Sequence, residues 1–177
     1  MTYYAGIDVS LETSSICVVD QAGSLVREFK VVSDPEALAA ALIGLGLVFG
    51  RVGLEAGPMS QWLHGGLAAA GLPVVLLETR QLRAATRTMP IKTDRTDARA
   101  IAHMVRTGWF RAVHVKSPLS QELRALLTAR KLLVTKLHDV DNGIRGLLRG
   151  FGLKVGKVGE RGFPARVREL VGGRGSL

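Results

Sequence analysis

The sequence predicts an α/β fold, a mixed sheet with flanking helices followed by one long separate helix. Three observations point there. Short apolar runs bounded by turn residues open the chain. Helix and strand patterns then alternate, and from Leu119 onward apolar residues recur at spacings of four and three. With 177 residues, 47% apolar and 22% charged, the chain can bury one real core and carry an appendage.

Taken in order, residues 2–9 ("TYYAGIDV") are nearly all apolar and read as a buried strand. Residues 13–19 and 25–32 read as two more strands joined through the turn "DQAGS". Ser33–Asp34–Pro35–Glu36 is a helix start, and the helix stops in glycines. "RVGLE" is a short strand ending at Glu55; Pro58 opens a helix that Gly71 ends; "PVVLL", 73–77, is a fifth strand. "TRQLRAATRT" is basic and irregular or helical, and a helix carrying Asp94 and Asp97 follows. The order β-β-β-α-β-α-β-α is that expected of a ribonuclease-H-like core, an opening meander followed by parallel strands.

Beyond Trp109 the pattern changes. Leu119, Leu123, Leu126, Leu133, Leu137, Val140, Ile144, Leu147 and Phe151 form a narrow stripe that only Arg130 interrupts. This is a coiled-coil pattern, weakened at its far end by Gly143 and Gly146, and it predicts a homo-oligomer through residues 119–151. The basic, glycine-rich remainder reads as a linker or the start of something further. The expected organisation is a core over 1–112, a long helix over 113–152, and a linker or partial second domain over 153–177.

No apolar run is long enough for a membrane span, since Gly44, Gly46 and Gly50 punctuate the best candidate. The N-terminus lacks the basic-then-apolar order of a signal peptide, so a cytoplasmic protein is the simplest expectation. Cys17, the only cysteine, excludes an internal disulfide framework and a cysteine-rich zinc site. His64, His103, His114 and His138 show no close ligand spacing, and neither "GLEAGP" nor "GGLAAAG" ends as a phosphate-cradling loop must. Charge is uneven. Residues 1–90 hold 6 Lys and Arg against 8 Asp and Glu, a net −2; residues 91–177 hold 18 against 7, a net +11. A basic half of this kind suits a polyanion, and nucleic acid is the expected partner.

Asp94 and Asp97 share a helical stripe with Ala98, Ile101, Met104 and Val105, while Arg95, Arg99 and Arg106 gather on another flank. Helix capping and the helix dipole explain acids in a first turn, but not their shared direction toward the core. Asp8 lies inside the first strand and Glu55 closes the fourth, which this topology makes neighbours. Four convergent carboxylates would repel one another unless divalent cations resolved the charge, and Mg²⁺ or Mn²⁺ with hard oxygen ligands suits phosphoryl transfer. Asp8, Glu55, Asp94 and Asp97 are thus the expected metal and catalytic set. Glu78, ending an outer strand, and Asp20, in a turn, need no such role. Arg80, Arg83, Arg87, Arg95 and Arg99 flank the acids as expected nucleic-acid contacts.

The segments "YAGIDVS", "GLEAGP", "ETRQLR" and "IKTDRTDARAIA" together resemble the DEDD-type insertion-sequence transposases and their relatives, the Piv-type DNA invertases. The likeness runs from about Tyr3 to about Leu170, and the block around Asp94 and Asp97 is its most specific part. It implies an N-terminal domain like the RuvC Holliday-junction resolvase, with the four acids falling on Asp8, Glu55, Asp94 and Asp97. It implies DNA as substrate and a guide RNA as partner. Leu11 stands where such proteins often carry Lys. They continue into a second catalytic domain with a serine nucleophile; Ser176 is no candidate for it, so the chain is expected to be incomplete for recombination.

Two rivals remain. "GIDVSLETSSICVVD" also resembles the first phosphate loop of actin-like sugar kinases and ATPases, but no second Asp-x-Gly loop or adenosine motif follows. A chain that binds nucleic acid and self-associates without recombining DNA is the non-enzymatic alternative.

Overall fold

The computed structural model describes residues 1–86 and 93–173. They form two compact units, Met1–Lys116 and Ser117 onward.

The first unit holds β1 (Tyr3–Val9), β2 (Thr13–Val19), β3 (Leu25–Val32), α1 (Pro35–Ile43), β4 (Phe49–Glu55), α2 (Ser60–Ala69), β5 (Val74–Leu77), α3 (Thr79–Thr86) and α4 (Asp94–Thr107). The sheet order is β3-β2-β1-β4-β5, with β1 to β3 antiparallel and β4 and β5 parallel to β1. This is the ribonuclease-H-like arrangement that the element order predicts. The β2–β3 turn closes where Asp20 accepts a hydrogen bond from the Ser24 amide at 2.8 Å.

Strand alternation assigns the two faces. Ala5, Ile7, Ile16, Val18, Val52, Leu54 and Leu76 are buried on one face against Leu38 and Leu42 of α1 and Leu63 and Leu67 of α2. Asp34 caps α1, accepting from the Glu36 and Ala37 amides, and Pro35 supplies a first-turn φ. The helix expected from Pro58 begins instead at Ser60, because the Ser60 hydroxyl bonds back to Gly57 and holds a turn there. The strand expected at 51–55 starts at Phe49, where pairing with Tyr3 extends it.

The other face carries α4. Gly6 lets it come close: a Cβ there would stand 2.2 Å from the Ala98 carbonyl oxygen. Beside this contact Cys17, Val19, Ala98 and Ala102 are buried together. Past β5 the chain returns antiparallel, with the Val113 amide donating to the Leu76 carbonyl at 2.8 Å.

In the second unit, Ser117 caps α5 (Pro118–Gly150). Among the described residues of this helix Leu148 alone is buried. The chain then turns at Gly152 (φ 74°), passes a 3₁₀ turn (Glu160–Gly162) and enters α6 (Phe163–Val171). Leu148, Val155 and Phe163 form a small core there, and the Arg145 guanidinium lies 4.9 Å from the Phe163 ring centre. The basic, glycine-rich composition masked this helix: its apolar Phe163, Val167 and Leu170 are too few for a periodic signal by themselves. Among the described residues no helix is long and apolar enough to cross a membrane.

Candidate metal and nucleic-acid site

The strand register builds the first half of the site. Asp8 pairs with Ser15 across β1 and β2, and Ser15 pairs with Lys30 across β2 and β3. Directly paired residues share a sheet face, so these three point to the side that α4 covers. On the parallel neighbour Ile7 pairs with Leu54, which sets Asp8 beside Glu55 at the ends of both strands. Both acids are half-buried. A cavity of about 440 Å³ opens beside Glu55 between Ser10, Leu11, Gly57 and Thr79. It lies at the carboxyl ends of parallel strands, where open α/β sheets bind ligands.

Helix α4 brings the other half. Thr93 caps it through a reciprocal pair of bonds with Thr96, which fixes the direction of the first turn. Asp94 is exposed and its carboxylate accepts from Lys30 Nζ at 3.2 Å. Asp97 is half-buried, and its Oδ1 atom is buried with no hydrogen-bond partner among the described residues. The Ser15 hydroxyl, in the Asp8 row, is orphaned in the same way. All four predicted acids therefore lie at one end of one face. Among the described residues, however, no three Asp, Glu, His or Cys side chains stand close enough together to hold a metal ion.

The arginines divide. Arg95 and Arg99 both pair with Glu28 of β3, Arg99 Nη2 reaching Glu28 Oε2 at 2.9 Å. The Glu28 side chain is only 5% exposed, whereas Arg95 and Arg99 keep 68% and 45% of theirs in solvent. Hydrogen bonds from Arg99 above all, and from Arg95, hold the Glu28 carboxyl below its ordinary pKa. Arg80 is exposed on α3; the Arg83 side chain and the whole of Arg87 lie outside the described residues. Of the acids set aside in the sequence, Asp20 serves its turn and Glu78 lies 4.0 Å from Arg111.

Sequence reasoning missed Glu28 and Lys30, which tie α4 to the sheet. The signal was available: two residues apart on one strand, they share the face of Cys17 and Asp8. Burial, helped by nearby Glu28, pushes the Cys17 thiol up to about 12, so it stays protonated as a core residue.

The donor set suits a hard divalent cation. It consists of carboxylate oxygens, and the partnerless Asp97 Oδ1 is a buried acceptor that an ion would satisfy. Lys30 is the competitor, since it neutralises Asp94 in the state described here.

A transposase family model, that of the IS110-type DEDD transposases, matches residues 5–152. The chain is 27% identical over 157 residues to the transposase for insertion sequence element IS1111A of Coxiella burnetii (strain RSA 493 / Nine Mile phase I). That match covers 88% of this chain and 41% of the relative, so the chain spans less than half of its length. Among solved structures, Thermus thermophilus RuvC in complex with Holliday junction substrate is similar at 18% identity and a TM-score of 0.44, over 64% of this chain and 100% of that one. The ROK hexokinase from Thermus thermophilus is similar at 20% identity and a TM-score of 0.38, over 52% and 40%. Matched from β1 to the end of α5, the chain belongs to the DEDD transposase family of the IS110 type.

Proposed function

We propose that this chain is the metal-dependent, nucleic-acid-cleaving part of a transposase, with Asp8, Glu55, Asp94 and Asp97 as its carboxylate set. One observation carries the reading: Asp8 and Glu55 sit side by side on the sheet face whose covering helix carries Asp97 with a buried, partnerless oxygen. The four acids would hold Mg²⁺ or Mn²⁺, and the bound ion would supply charge stabilisation for phosphoryl transfer between DNA strands. The exposed outer sides of Arg95 and Arg99, with Arg80, Arg83 and Arg87, would take backbone phosphates. Lys30, exchanged from Asp94 when the ion binds, would be one more point charge for a phosphate. A guide RNA and a second copy of the chain complete the proposed assembly.

The test is metal-dependent stability. Mn²⁺ should raise the unfolding free energy of the wild type by RT ln(1 + [L]/Kd), about 2.7 kcal/mol at a hundredfold excess over Kd. Asp97→Asn should abolish that gain without lowering basal stability, because one Asp97 oxygen is buried without a hydrogen-bond partner among the described residues. Lys30→Met should increase the apparent Mn²⁺ affinity by freeing Asp94. An Asp97→Asn variant that Mn²⁺ stabilises as much as wild type would remove Asp97 from the set.

The ungathered acids favour a second reading, nucleic-acid binding without cleavage. Retained nucleic-acid affinity with no Mn²⁺ response in any variant would select it.

A further inference from the structure

Along α4 lies a second open hollow of about 440 Å³. Met104 and Ala100 give it an apolar floor, Arg99, His103 and Thr107 a polar wall, and Trp109 a lip. Among the described residues no carboxylate lines it. The lip is built by the chain: Gly108 adopts a left-handed φ of 75°, which ends α4 and turns Trp109 back beside the helix. Trp109 is nonetheless 58% exposed, although a large apolar ring gains most from burial.

We propose that this hollow is a subsite for one unpaired nucleobase, stacked on the Trp109 indole. The inference rests on the nucleic-acid reading above and adds to it a residue that neither the acids nor the basic flank includes. The chemistry selects this occupant. An exposed indole offers a base the π-face that single-strand binders use without regard to sequence. Thr107 and His103 offer hydrogen bonds to a base edge, and burial, then Arg106 and Arg99, keep the His103 imidazole below its ordinary pKa, so at neutral pH it both donates and accepts. Arg99 at the wall, with Arg95 one turn back on α4, supplies positive charge for the flanking phosphates. A duplex cannot use the site, because its bases are stacked on one another.

The chain has two tryptophans, so Trp62→Phe leaves Trp109 as its one indole reporter. This variant would be titrated with oligothymidylate, oligouridylate, an abasic strand of equal length and a DNA duplex. Quenching by the base-bearing strands, and little by the abasic strand or the duplex, is the expected result; the stronger of the two responses tells DNA from RNA. In the full chain Trp109→Ala should weaken single-strand affinity roughly ten- to a hundredfold and leave duplex affinity unchanged, while Trp109→Phe retains most of the binding. Equal quenching by abasic and base-bearing strands would overturn the subsite, as would a Trp109→Ala variant that folds and binds oligothymidylate like wild type. Those results with nucleic-acid binding intact refute the subsite alone; no binding of any strand refutes the nucleic-acid reading as well.

Discussion

Glu28 shows how one residue can hold a site it does not belong to. It is the buried partner of two exposed arginines on α4, and β3 carries it to the same face as Asp8. Replacing it by Gln keeps the shape and removes the charge, which leaves Arg95 and Arg99 with a weaker acceptor. A loss of about 1–3 kcal/mol in urea unfolding at neutral pH is expected. The pH dependence has a definite sign. Because the folded pKa is depressed, the stabilisation is complete above the ordinary carboxylate pKa and fades as pH falls through the lower folded value. Glu28→Gln should therefore flatten the acid limb of the stability curve; an unchanged acid limb would show that other carboxylates set it. The sequence singles out Asp94 and Asp97 because both fall on an apolar stripe; of the two, Asp97 is half-buried while Asp94 is exposed against Lys30. Glu28 and Lys30 were not legible there, because alternating polar residues on an edge strand look like a solvated face.

At the scale of the element, α4 decides whether there is a site at all. Its first turn carries Asp94 to Lys30 of β3, and its body lies close against the sheet. Gly6 sets that distance, and the obstacle to a side chain is backbone, the Ala98 carbonyl oxygen and the Ala102 amide nitrogen. Neither can rotate away as a flexible side chain could. Gly6→Ala should cost at least about 2 kcal/mol and displace the Asp94–Lys30 pair, detectable as a lost cross-strand contact between α4 and β3 by NMR. A neutral Gly6→Ala would refute this close approach of α4 to β1. Every strand of the first unit and its helices α1, α2 and α4 are present in the sequence pattern, with ends shifted by the Tyr3–Phe49 pairing and the Ser60 turn, while α3 stayed open between irregular and helical. What one sequence could not supply was the closeness of α4, since Gly6 reads as an unremarkable residue of an apolar strand.

For the whole molecule the open question is what covers α5. Leu133 is 70% exposed, Leu137 47% and Leu147 72%, and these residues belong to the narrow stripe that begins at Leu119. Leaving such a row in water forgoes about 1.5–3 kcal/mol for each leucine that could be fully buried. Pairing two copies of the helix would recover this several times over, against an association cost of roughly 4–15 kcal/mol. The same copy-to-copy contact would set two copies of the basic surface in one particle. Replacing Leu133 and Leu137 by Glu puts like charges into the seam. Light scattering should then show a shift from dimer or higher order to monomer, while the melting of the first unit is unchanged, because neither leucine belongs to its core. A wild-type chain that stays monomeric at high concentration would refute the pairing, since the exposed leucines are available to a second copy.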